Sequence, residues 1–241
     1  MACYAFKKDG KEETFEQHSS DALRCLRNCF PNLPYVVQSK LNINNVDDIR
    51  KAIELAVGFH DIGKTLEVYQ KNTGNLSFYG HEFVGAYILN NLINELAGDL
   101  PNELKVLVYM IVLQHHHAMR PIKDWISSFN LEKLKDIIGQ NSKVYDECLN
   151  ELTSVAKLID PKLSNPLNIS INSNDLEKFR ENLLNILNPS PGLQSSLSII
   201  LTATVMCDYC SAAKNREGNK KGPLIEQLCR ICPSAPCCNI T

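Results

Sequence analysis

Several signals are missing from this chain of 241 residues. Met1 to Lys11 holds no apolar stretch of the kind that marks a secretory leader. No uninterrupted apolar run approaches the ~20 residues of a membrane span. The longest, Leu104 to Gln114 and Leu197 to Met206, read as buried helices. Together these absences predict a soluble, cytoplasmic protein with no membrane partner. An excess of one charge is also lacking. The net charge is −2 with 22% charged residues, which excludes a globally basic nucleic-acid binder. Any contact with nucleic acid is then local or made through metal ions. There is no internal repeat and no alternation of strand with helix, so repeat architectures and parallel α/β folds are set aside. Histidine is absent from the second half: all six lie between His18 and His117.

What is present is enough apolar material, 44%, for a substantial core. The length fits one large domain with a small appendage. Cys3 to Phe15 reads as a short hairpin around Asp9-Gly10. The rest reads as helix, so the expected fold class is all-α, a helical bundle with a short N-terminal β-hairpin. Glu16 to Phe30 is periodic, with His18, Ala22, Cys25 and Cys29 on one face. A second helix starts at Asn45 and runs through Ile49 and Ile53 to His60. A third opens at His81, and a fourth after Pro101 carries Leu104, Val108, Ile111 and His115 in line. Shorter helices are expected over Pro121–Phe129 and Leu131–Ile138, then one over Asn141–Ile159. The stretch from Asp160 to Asn172 reads as a loop. Helices follow over Asn174–Leu187 and Leu193–Ala213, and the tail after Asn215 has no clear period. The expected division is a main domain over 1–216 and a cysteine-rich tail over 217–241.

Histidines fall at the ends of apolar stripes on four separate helices. A lone histidine there is most simply a hydrogen-bonded core residue. Several that converge most easily share a metal ion. Asp61 follows His60 directly, and a carboxylate beside an imidazole can bridge two ions. Lys64, four residues after His60, suits a phosphate oxygen, with a solvated surface lysine as the plain alternative. Asp208 extends the stripe Leu197, Leu201 and Thr204, where an unpaired carboxylate is costly. The bases Lys214, Arg216, Lys220 and Lys221 could guide a nucleic-acid strand or form an ordinary solvated charge run.

The ordered set His18, His60-Asp61, His81, His115-His116 and Asp208 resembles the HD superfamily of metal-dependent phosphohydrolases. The wording of Phe15-Glu16-Gln17-His18-Ser19, Phe59 to Lys64, Tyr79-Gly80-His81-Glu82, His115 to Met119 and Asp208-Tyr209 narrows the match. It is similar to the stand-alone archaeal HD nuclease of type I CRISPR interference. That resemblance implies two divalent ions, of Mn, Mg, Ni, Co or Fe. One would take His18, His60, Asp61 and Asp208. The other would take Asp61 as a bridge with His81, His115 and His116. Asp61 and Lys64 would be the catalytic residues. It further implies a substrate of single-stranded DNA, with RNA as a second substrate. The implied partners are a separate helicase subunit and a crRNA-guided surveillance complex. Three consecutive histidines leave the register open, since a shift of one would make His116-His117 the ligands. A nucleotide or cyclic-nucleotide phosphohydrolase and a non-catalytic metal-stabilised binding module are the alternatives.

Ten cysteines are many, and six of them follow residue 206. Cys207-x-x-Cys210 with Cys229-x-x-Cys232 has a structural zinc spacing. Disulfides and free thiols are the other readings, with Cys237-Cys238 able to join either scheme. A cytosolic setting argues against disulfides, hyperthermophiles excepted.

Overall fold

The computed structural model describes residues 2–71, 74–118, 120–163, 169–186, 190–217 and 222–238. Strands β1 (Tyr4–Lys8) and β2 (Lys11–Thr14) pair antiparallel. They are joined by Asp9 and Gly10 at φ of 52° and 77°, the left-handed backbone that a two-residue hairpin turn of this twist requires. Thr14 ends the hairpin and caps helix α1 (Phe15–Cys29): its side chain accepts from the Gln17 amide at 3.1 Å. The chain therefore passes from strand to helix with no free linker, and His18 enters in the first turn.

Helix α2 (Leu33–Leu41) was not expected. Its apolar residues are split between faces: Leu33, Pro34 and Val37 are buried, while Tyr35 and Val36 are exposed, so no stripe announces it. Asn45 caps helix α3 (Val46–Gly58), whose first turn carries Asp47 and Asp48 where they suit the helix dipole. The helix stops at Gly58, and His60 and Asp61 lie in the turn beyond it rather than on it. A short 3₁₀ turn (Ile62–Thr65) follows, then α4 (Glu67–Gln70). This corrects the expectation that α3 reaches His60 with Lys64 one helical turn along. The physical reason is a close approach. The 3₁₀ turn presses on the start of helix α5 (His81–Ala97), so that a Cβ on Gly63 would lie 1.9 Å from the His81 carbonyl oxygen.

Helix α6 (Asn102–Gln114) packs along α5 and α3. Helices α7 (Ile122–Ser128) and α8 (Leu131–Ile138) follow as expected. The single helix expected over Asn141–Ile159 is instead strand β3 (Asn141–Lys143) and helix α9 (Cys148–Ile159). Strand β3 pairs with β4 (Ser170–Asn172), which lies in the segment expected to be loop; residues 164–168 of that segment lie outside the described residues. Gly139, at φ of 68°, halts α8 just before β3. Helix α10 (Ser173–Ile186) differs from expectation by one residue at its start, and Leu187, its expected end, lies outside the described residues.

Helix α11 (Pro191–Ala212) begins under a Ser190 cap and is the longest element. With its continuation to Arg216 it is long and apolar enough, by length and composition, to cross a membrane. It nonetheless carries Asp208 and packs against α1, α2 and α6, as a core helix does. A π-helical turn (Ala213–Glu217) leads toward helix α12 (Pro223–Ile231), the unexpected element of the tail, which folds back on α11.

The tail cysteines do not form the CxxC…CxxC set. Cys210 is bonded to Cys237, Cys229 to Cys238, and Cys232 to Cys29 of α1. A fourth bridge joins Cys3 to Cys148. Cys207 faces inward from α11 as a buried free thiol, as does Cys25. One helical turn separates Cys207 from Cys210. Only Cys210 reaches the tail, so the zinc spacing fails there.

Candidate metal centre

Four histidines come together from four places in the fold: His18 from α1, His60 from the turn after α3, His81 from the start of α5 and His115 from the cap of α6. Each is fixed through its Nδ1. His60 donates to the Val57 carbonyl at 2.7 Å, His81 to Phe78 at 2.8 Å and His115 to Val112 at 2.7 Å. His18 donates to the Glu13 carboxylate at 2.9 Å. Carbonyls and carboxylates only accept, so each Nδ1 presents its proton to them, and in the neutral ring the Nε2 lone pair is left for a cation.

Those four lone pairs converge on Asp61, and the two carboxylate oxygens divide them. Oδ2 lies 3.3 Å from His18 Nε2 and 3.7 Å from His60 Nε2. Oδ1 lies 3.2 Å from His81 Nε2 and 3.5 Å from His115 Nε2. Asp208, on α11, closes the first half: its Oδ1 is 3.2 Å from His18 Nε2 and 3.6 Å from His60 Nε2. His116 closes the second from the solvent side, its ring centroid 4.1 Å from that of His115.

Lone pairs facing lone pairs repel unless a proton or a metal ion lies between them. His18 Nε2 and His60 Nε2 stand only 3.1 Å apart. Asp61 Oδ1, His81 Nε2 and His115 Nε2 are buried without any hydrogen-bond partner. An unpaired buried polar atom costs roughly 1–3 kcal/mol. Two overlapping sets, His18-His60-Asp61-Asp208 and Asp61-His81-His115-His116, each have ligand atoms within 4.8 Å of one another. The donor chemistry, imidazole nitrogen with carboxylate oxygen, fits a pair of divalent transition metals.

The electrostatics agree. Burial opposes charge on His18, yet Asp208, Glu13 and Asp61 outweigh it and push its pKa up to about 9. Burial likewise works against the Asp61 and Asp208 carboxylates, but Lys64 with His60, His115 and His81 holds Asp61, and His18 with His60 holds Asp208, well below the usual range. In the metal-free site a proton on His18 thus takes the place of a cation among Glu13, Asp61 and Asp208.

Lys64 is buried, 7% exposed, and donates to Asp61 Oδ2 at 2.6 Å, with the Phe78 ring 5.4 Å away. It is not a surface lysine. His117 turns away from the centre: its Nε2 is 3.0 Å from Glu82 Oε1 and its ring stacks on Trp125. The bases expected to guide a strand are partly engaged inside. Lys214 pairs with Asp21 at 2.8 Å and Arg216 with Glu13, while Lys220 and Lys221 lie outside the described residues.

Glu13 was missed from the sequence. It sits buried on β2, and His18, Arg216 and Asn215 outweigh the cost of burying it and bring its pKa down to about 2. Ser211 donates to it at 3.0 Å and Asn215 at 2.9 Å. A carboxylate that orients a ligating histidine in this way fixes its tautomer and raises its basicity. On a four-residue strand only its inward alternation set Glu13 apart from Glu12.

A helical bundle presenting a double histidine–aspartate cluster is the arrangement of the HD phosphohydrolase class, and this chain resembles that class. More narrowly, it is similar to the CRISPR-associated endonuclease Cas3-HD of Pyrococcus furiosus, with 24% identity covering 96% of this chain and 98% of the relative. The protein of the same name from Methanocaldococcus jannaschii is 25% identical over 80% of this chain and 78% of its own. No family model matches. Among solved structures, a CRISPR-associated protein has the same fold with a TM-score of 0.50 and 11% identity, covering 97% of this chain. The chain spans about a quarter, 26%, of that protein's length.

Proposed function

We propose that this protein is a metal-dependent nuclease that hydrolyses phosphodiester bonds of single-stranded DNA, and of RNA as a second substrate, in CRISPR interference. The observation that carries the reading is the aim of four imidazole Nε2 atoms at the two oxygens of one buried carboxylate. Two divalent ions, one per half of the cluster, would supply polarisation of the phosphodiester and an activated water when bound. His18, His60, Asp61 and Asp208 would hold one ion, and Asp61, His81, His115 and His116 the other. Mn, Fe, Co and Ni suit the nitrogen-rich donors, while Mg prefers oxygen.

The chain's own residues divide the remaining work. Asp61 sets the separation of the two halves by offering one oxygen to each. Lys64 stands on Asp61 Oδ2 with its ammonium at the centre's edge, where it can shift toward a non-bridging phosphate oxygen. Glu13, held by Arg216, keeps His18 in one tautomer. His116 is exposed at the mouth of the second half.

The names of the two archaeal relatives support the nuclease reading. On this reading the partners are a separate helicase subunit and a crRNA-guided surveillance complex. The setting is the cytoplasm, where disulfide pairs such as these persist in hyperthermophiles. Incubation with manganese and labelled single-stranded DNA, beside a panel of nucleotides and cyclic nucleotides, tests it. Cleavage of DNA is expected. Turnover of nucleotides with the DNA left intact would overturn the reading in favour of a small-molecule phosphohydrolase.

A further inference from the structure

Beside the metal centre lies a cleft of about 370 Å³ that the reaction scheme above does not use. Its volume falls within the ~300–1,000 Å³ of small-ligand pockets. It shares His81 with the centre, so whatever fills it lies next to the bond being cut. Its walls are aromatic. Phe78, Tyr79 and Phe129 are half-buried rings that line it, and Trp125, 3% exposed, forms its back. The His117 ring lies across Trp125 with 4.8 Å between centroids.

Its charges are arranged for a polyanion. The one carboxylate in the lining, Glu82, is already held by His117 at 3.0 Å and by His81 Nδ1 at 3.1 Å. Arg120 stands exposed at the cleft and has no carboxylate partner among the described residues. Lys133 places its ammonium 4.2 Å from the centre of the Tyr79 ring. Flat aromatic walls next to cations, a few ångströms from a phosphodiester-handling centre, are the elements of a base-stacking site on a single strand.

We infer that this cleft binds one unpaired nucleobase of the substrate strand on the solvent side of His117, beside the Tyr79 and Phe129 rings that stack on each other at 5.9 Å, while Arg120 and Lys133 hold the adjoining phosphates. This rests on the nuclease reading and deepens it. A base within a duplex is stacked and paired and cannot enter, so the cleft selects single strands or splayed ends. Stacking tolerates every base, so no sequence preference follows from it.

Trp125 is the chain's single tryptophan and reports on the cleft directly. Its fluorescence would be followed during titration with a single-stranded oligonucleotide and with an abasic oligonucleotide of the same length and charge. Each titration would be run with chelator and with manganese. The base-bearing strand should quench Trp125 and bind about tenfold more tightly than the abasic strand, the scale that stacking one base supplies. In Tyr79→Ala that preference should shrink toward equality. Arg120→Ala should weaken both strands alike and keep the preference, which guards against a misfolded Tyr79 variant.

Equal binding of the two strands with no change at Trp125 would overturn the inference. If manganese-dependent cleavage persists in that case, with equal KM for both strands, the nuclease reading stands and only the subsite falls. If base-dependent quenching is seen but no strand is ever cut, the subsite stands and the nuclease reading falls.

Discussion

Asp61 and Glu13 are buried carboxylates with different tasks, and substitution separates them. Asp61 offers one oxygen to each half of the cluster, so Asp61→Ala should empty both halves and lower cleavage by roughly 10³-fold or more. Glu13 touches His18 Nδ1 and no other histidine of the cluster. Glu13→Gln keeps the shape but loses the charge, and should weaken metal binding by roughly 10–100-fold, measured by calorimetric titration with manganese. Retention of full affinity in Glu13→Gln would show that Glu13 does not tune the site. In the metal-free protein His18 is pushed up to about 9, so a proton competes with the metal for Nε2. Apparent metal affinity should therefore rise with pH up to about 9 and flatten above it.

The helices were legible where one apolar stripe meets one core, as on α1 and α3, and where a long apolar run is buried on most sides, as on α5 and α6. They were not legible where burial is shared. Helix α2 exposes Tyr35 and Val36 beside its buried Val37, and α12 is short and tied down by sulfur bridges that no periodicity displays. The residues His18, His60, His81, His115 and Asp208 stood out because each ends an apolar stripe, while Asp61 and His116 entered through the resemblance to the HD family. Their supports were not, because Glu13 lies on a strand far in sequence from Arg216 and Ser211. The turn after α3 also escaped, because Gly63 is required by a contact with α5 that only the fold reveals. At that element a methyl group has no room. Gly63→Ala should cost about 3 kcal/mol or more, through displacement of α5 and its His81. Chemical denaturation checks the stability loss, and a wild-type midpoint would refute the stated constraint.

Across the whole molecule, the bridges join parts far apart in sequence. Cys29–Cys232 spans 203 positions and Cys3–Cys148 spans 145, while Cys210–Cys237 ties the tail to α11 two residues beyond Asp208. Removing a bridge such as Cys29–Cys232 by Cys29→Ser should cost roughly 2–4 kcal/mol. For a chain of this size that is roughly 4–16 °C in Tm, readable by scanning calorimetry. An unchanged Tm would mean that the tail adds nothing to the fold. The same architecture gathers α1, α3, α5, α6 and α11 around one carboxylate, so the centre exists only when the whole bundle is assembled.

The central claim is that two ions share Asp61. Electron paramagnetic resonance of the manganese-loaded protein, taken with the bound-metal stoichiometry, tests it most directly. Two manganese ions per chain with a magnetically coupled spectrum, lost in Asp61→Ala, is the predicted result. One ion per chain with the uncoupled spectrum of an isolated manganese would contradict it.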